Sequence, residues 1–294
     1  MNSAPLQSPV RATRALFVAA VLASAALGGC AMPGPSAAGG AAPAGAADAA
    51  ENYRRGAALL AGSTGPRDPA EGARLIRLAG DQGDGEAAFV LATTPGLRPA
   101  NERDDAGAAV WLRRAAIAGH PAGQYLYADA LLNGRGVAPE PSWAALWMAR
   151  SAANGYGRAQ VMLGLLYVDG TALPADKVQA QRWFIAAQRS NTPNAARYAR
   201  ALDARMTPAE RGAARNAAAM QGGADSFPDE ALVRYVQYAL GRLGSDPGAV
   251  DGIAASPATR EAISRFERTN AMPVSGRIDT DLVLRLRERM RALG

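Results

Sequence analysis

One histidine, one cysteine and three clusters of like charge are the residues of this 294-residue chain that could carry chemistry. His120 needs partners to bind a metal or to activate a nucleophile. The chain has no second histidine, and its one cysteine lies far away in sequence. No Gly-x-Ser-x-Gly elbow and no Walker-type or dinucleotide-type glycine loop accompanies it. His120 therefore reads as a solvated turn residue. Asp104-Asp105 and the pair Asp279 and Asp281 fall where helices should begin, and acids there cap free amides and favour the helix dipole. The string Arg285-x-Arg287-x-Arg289-x-Arg291 looks like an anion site. On a helix, however, every second residue turns by about 200°, so the four share no single face and read as solvated surface. No catalytic group, metal site or cofactor site emerges, and the chain is not expected to be an enzyme.

The cysteine, Cys30, takes its chemistry from its position. It closes Leu27-Gly28-Gly29-Cys30, behind an apolar run from Ala15 to Ala26 and the basic residues Arg11 and Arg14. That is the layout of a secretory signal, and the run is too short to span a membrane as a mature helix. The four residues resemble the bacterial lipobox. The resemblance implies that residues 1–29 are removed and that Cys30 is lipidated, which makes the membrane a partner of the mature chain. Ala31 stands where an aspartate would signal inner-membrane retention, so the implied location is the outer membrane, periplasmic face.

Loss of Arg11 and Arg14 takes the formal charge from +6 to +4, and the remaining basic residues are scattered among acids. Such a balance argues against nucleic acid as a partner. With Cys30 consumed by lipid, no disulfide can form within the chain, so stability must come from packing.

Residues 30–50 are mostly Ala, Pro and Gly, too poor in large side chains to offset ordering entropy, and read as a lipidated, disordered linker. Such a linker would reach about 25 Å on average. Beyond it the chain repeats every 36 residues. Trp111, Trp147 and Trp183 keep that period, with Leu75 in the same column, as do Gly83, Gly119 and Gly155. The strict period assigns the three tryptophans to packing between helices; Trp143 stands outside the column. Each unit reads as two helices, Gln124–Asn133 and Ser142–Ala153 in the third, 160–168 and 176–188 in the fourth. These residues resemble the Sel-one-like repeat family of the tetratricopeptide class: Ala159-(x3)-Leu163-Gly164-(x2)-Tyr167-(x2)-Gly170, then Ala180-(x2)-Trp183-(x3)-Ala187. The resemblance implies an α-solenoid over 51–220 that offers a concave surface to an envelope protein whose identity the repeats do not encode.

Gln221 to Asp225 break the helical pattern, and residues 221–294 form a second module after a short linker. Three amphipathic helices are expected in it, started by Ser226 with Asp229, by Ser256-Pro257, and by Asp279. Val236-Gln237-(x2)-Leu240, Pro247-Gly248-(x)-Val250-Asp251-Gly252, Thr259-Arg260-(x)-Ala262-Ile263-(x2)-Phe266 and Pro273-Val274-(x)-Gly276-(x)-Ile278-Asp279 resemble the peptidoglycan-binding domain of cell-wall hydrolases and envelope proteins. Three features depart from that pattern: the stretch Ile253 to Ser256, Glu267 in place of glutamine, and Ala271-Met272 in place of Gly-Leu. The resemblance implies peptidoglycan as a partner. Tyr235, Tyr238, Arg242 and Arg260 are the candidate contacts, since arginine holds stem-peptide carboxylates and tyrosine offers a flat face to sugar.

The expected fold is all-α, a solenoid of helix pairs followed by a small three-helix domain. The expected function is that of a non-catalytic envelope lipoprotein that binds peptidoglycan and a protein partner. The alternative is a periplasmic regulator or adaptor of a sensor or secretion system, with a purely structural C-terminal domain.

Overall fold

Aspartates start many of the helices. Asp68, Asp84, Asp104 and Asp176 each accept a hydrogen bond from the backbone N–H three residues on, at 2.7–3.0 Å. Each thereby satisfies one of the free amides of a first turn. His120 does the same work for its helix, its Nδ1 accepting from Gly123 N at 3.0 Å. Thr207 and Glu210 form a reciprocal capping box.

The computed structural model describes residues 46–63, 65–219 and 229–293, which lie within one compact unit, residues 41–294. Cys30, the signal segment, most of the linker and Ser226 lie outside the described residues. Thirteen α-helices and no strand occur among those described, the all-α architecture expected. No described helix is long and apolar enough to cross a membrane.

Eight helices form four packed pairs along the chain: α1 (Ala46–Ala61) with α2 (Pro69–Asp81), α3 (Gly85–Thr93) with α4 (Asp105–Ile117), α5 (Pro121–Asn133) with α6 (Pro141–Ala153), and α7 (Gly157–Asp169) with α8 (Lys177–Arg189). α9 (Ala195–Asp203) and α10 (Pro208–Ala219) follow, and both pack on α8. α5 and α6 begin earlier than expected because Pro121 and Pro141 occupy their first helical positions. α1 corrects the linker boundary: residues 46–50 are helical, because alanine has the highest helix propensity.

The 36-residue columns have direct structural causes. Trp111, Trp147 and Trp183 are buried in one continuous core that runs through the pairs. Gly83, Gly119 and Gly155 have φ of +82° to +95°, which lets the chain leave one pair and enter the next. Asn191 takes the same column in the last unit at φ +50°, and asparagine tolerates this better than most residues. Buried Gln124 and Gln160 each donate to the carbonyl eight residues back, Ala116 O and Ala152 O, tying one pair to its predecessor.

Three helices follow: α11 (Glu230–Arg242), α12 (Pro257–Thr269) and α13 (Thr280–Arg291). Their caps are Asp229, Ser256 and Asp279. Val236, Leu240, Ile263, Phe266, Leu282 and Leu286 meet in a second core, which also takes in Leu146 of α6. That last residue belongs to the solenoid, so the two modules share apolar surface.

Candidate functional site

Two buried polar side chains shape the loops of the C-terminal module. Gln237 accepts from Gly252 N at 2.9 Å and donates to Asp251 Oδ1 at 2.8 Å and Thr259 Oγ1 at 3.0 Å. Asp251 and Gly252 are thus held as a tight turn, with Asp251 also accepting from Ile253 N. Glu267 does the same for the second loop. Its Oε2 accepts from Ser275 N and Gly276 N, and its Oε1 from Ser275 Oγ. The departure from glutamine at 267 is therefore an acceptor matched to three donors.

The four candidate contacts separate. Tyr238 and Arg242 come together one turn apart on α11, with Arg242 Nη1 donating to the Tyr238 hydroxyl at 3.0 Å. Tyr238 is half-buried and Arg242 exposed. Arg260, on α12, is exposed and has no hydrogen-bond or ion-pair partner for its guanidinium among the described residues. Tyr235 is a correction: it is 2% exposed and cannot offer its face to a sugar. Its ring meets the edge of Trp143 at 5.0 Å, and burial pushes its hydroxyl well above the ordinary tyrosine range.

Tyr235 marks a contact that sequence reasoning missed. α11 lies on α6, where Trp143, outside the repeat column, is its platform. Asp229 has two tasks: Oδ1 caps α11 and Oδ2 accepts from Arg150 of α6 at 2.8 Å. Glu230 accepts from Arg182 of α8 at 3.2 and 3.4 Å and from Arg234 at 3.0 Å. Burial pushes the Glu230 carboxyl up, but the two guanidiniums outweigh it and hold it below its ordinary 4.5. Across the other end, Arg287 of α13 grips buried Glu140 with two bonds of 2.8 Å and lies 4.7 Å from the Trp143 ring. Arg291 joins the same carboxylate at 3.4 Å.

The arginine string is thereby corrected. Arg287 and Arg291 are one turn apart, share a face and form an ion-pair cluster, whereas Arg285 pairs with Glu288 and Arg289 with Asn270. His120 is also more than a solvated turn residue, being a helix cap stacked on Phe89 at 4.4 Å and bonded to Glu86. Asp104 caps α4 as expected, and Asp279 caps α13. The only sequence signals for the module contact were Trp143 off its column and an acid, Glu140, placed before Pro141.

Comparison with known families gives both modules an assignment. The Sel1 repeat model matches residues 52–84, 86–120, 121–156 and 157–187, and the peptidoglycan binding domain model matches residues 229–286. The chain carries Sel1 repeats followed by a peptidoglycan-binding domain. α9 and α10, both packed on α8, lie beyond the matched Sel1 repeats and end the stack. No curated protein matches the chain.

Several solved structures are similar, and two of them show the range. One is a protective antigen present in uropathogenic Escherichia coli strains and displaying an SLR fold (23% identity, TM-score 0.43, 59% of this chain and 45% of that one). The other is a Sel1 repeat protein from Oxalobacter formigenes (30% identity, TM-score 0.40, 42% of this chain and 94% of that one). This chain thus spans less than half the length of the Escherichia coli antigen. Sel1 repeats and a peptidoglycan-binding domain together support a binding or scaffold role.

Proposed function

We propose that the protein is a non-catalytic envelope lipoprotein that holds peptidoglycan through its C-terminal domain and a protein partner through its Sel1 repeats. The observation that carries this reading is the coexistence of the two modules in one chain. On the wall side, Tyr238 and Arg242 are the contact pair, with Arg260 a separate exposed cation. A guanidinium next to an aromatic ring suits a stem peptide that carries both carboxylates and sugar-linked groups. On the membrane side, lipid on Cys30 anchors the chain to the periplasmic face of the outer membrane. A lipid anchor holds durably when it carries more than one chain.

Sedimentation with purified sacculi tests the wall contact. The full chain should pellet with sacculi, and the double variant Tyr238→Ala, Arg242→Ala should lose about tenfold in affinity, the effect of one strong charged contact. Absence of the wild-type protein from the pellet would overturn the reading. For the anchor, Cys30→Ser should move the protein from the membrane fraction to the soluble periplasmic fraction; an unchanged distribution would refute lipidation.

One observation favours a second reading, in which the C-terminal domain is structural and the protein is a periplasmic adaptor or regulator. α11 and α13 devote Asp229, Glu230, Tyr235 and Arg287 to the solenoid rather than to solvent. The same sacculus experiment separates the two.

A further inference from the structure

α11 covers only part of the face that the second helices of the repeats present. On α6 it buries Leu146, which is 2% exposed, and its first-turn cap Asp229 meets Arg150. The 36-residue period places Val110 of α4 in the position of Leu146, and Arg114 in that of Arg150. The local geometry repeats as well. Arg114 lies 4.4 Å from the Trp111 ring, as Arg150 lies 5.1 Å from Trp147. Yet Val110 is 54% exposed and Ile117, two turns along the same face, is 62% exposed.

A cleft of about 680 Å³ opens over these two residues. Val137 forms another part of its lining, and Arg287 and Arg291 contribute from the C-terminal domain. The one acid of the cleft, Glu140, is engaged by those two arginines, while Arg113 is exposed and Arg114 is about half exposed, bonded by one nitrogen to Asp81. Its rim is therefore cationic and its floor apolar.

We propose that this cleft is the docking site for an amphipathic helix of a protein partner. The helix would sit on α4 as α11 sits on α6, with a first-turn acid against Arg114. The site rests on the reading of the Sel1 repeats as a protein-binding element and gives that element a surface and a ligand chemistry. Three observations select this occupant. The site continues an existing helix-on-helix interface, it repeats that interface's apolar and cationic positions, and its rim complements an acid. A small anion would satisfy the arginines and leave Val110 and Ile117 in water.

A fluorescent peptide of residues 229–243, which carries α11 with its N-cap acid Asp229 and its first-turn acid Glu230, is the probe; the full chain is the receptor. Saturable binding is expected. Val110→Glu should weaken it about tenfold, as the loss of a central apolar anchor does. Arg114→Glu should weaken it similarly, and a peptide with Asp229→Arg should recover affinity for that variant alone, which misfolding would not produce. No saturable binding at millimolar peptide overturns the proposal. So does binding insensitive to Val110→Glu, which would place the peptide on Leu146 in competition with α11. Displacement by soluble muropeptides would make the cleft a wall site, and a dimer broken by Val110→Glu would make it a self-association face; either result also overturns it. Sacculus binding should be indifferent to Val110→Glu, so failure here leaves the wall contact standing. A protein partner retained by the Val110→Glu chain through another face would sink this site but not the protein-binding reading.

Discussion

Glu267 is the most demanding single side chain in the C-terminal domain. It is 1% exposed, and three donors from Ser275 and Gly276 converge on it. A buried acceptor of this kind is worth little net while satisfied, but its removal strands every donor it served. Glu267→Ala should therefore cost about 2–3 kcal/mol of stability, most of it from backbone N–H groups left without partners. Glu261→Ala, on the exposed side of the same helix, should cost little, since its partner Arg268 is also exposed. Urea denaturation of the two variants measures the contrast, and equal losses would contradict the assigned role. Gln237 works on the other loop in the same way, holding Asp251 and Gly252.

Helix pairs in the solenoid are spaced by glycine and alanine as much as by tryptophan. At Gly164 of α7 an added methyl would stand 2.5 Å from Cε1 and 2.8 Å from Cδ1 of Phe184, a ring that is 1% exposed and has no room to retreat. Gly212 of α10 has nothing within 4 Å of the same position. Alanine gains about 1 kcal/mol over glycine within a helix, whereas overpacking a core costs about 1–3 kcal/mol. Gly164→Ala should therefore lower the melting temperature while Gly212→Ala should raise it. The same substitution thus acquires opposite signs from packing alone. If calorimetry found both variants stabilised, the close approach of α7 and α8 would not limit the stack.

The two modules form one body through a contact whose polar part is ionic at both ends and aromatic between them. Glu230 makes that contact sensitive to pH. Its carboxyl is held below its ordinary 4.5, so the unfolded chain binds a proton more readily than the folded one at mildly acid pH. The stabilisation it contributes is therefore fully present above about pH 4.5 and is lost as pH falls through the depressed value. Glu230→Gln should be less stable than the wild type at pH 7, and the difference should shrink as the pH falls below about 4.5. Thermal melts of both proteins across that range test the linkage; a gap that stays constant would rule it out. The docked arrangement also means that the Tyr238–Arg242 pair and the open α4 cleft are held on one framework.

Much of this was legible in the residues themselves. A 36-residue period, a tryptophan column and recurrent glycines define helix pairs because burial within a stack recurs at every unit. Caps at Asp104, Ser256 and Asp279 were readable because a cap and its amide are three residues apart. What the periodicity could not carry was the docking of the C-terminal domain. Glu140 and Arg287 are 147 positions apart, and Arg150 and Asp229 are 79 apart, so no local spacing marks either pair. Tyr235 looks like a surface tyrosine on its own helix and becomes a core residue only when Trp143 covers it. Local pattern determines which elements form, because their hydrogen bonds and caps close within a few residues. Which of their faces stay open to a partner is decided by packing between distant segments, where apolar area and ion pairs complement one another only once the chain has folded.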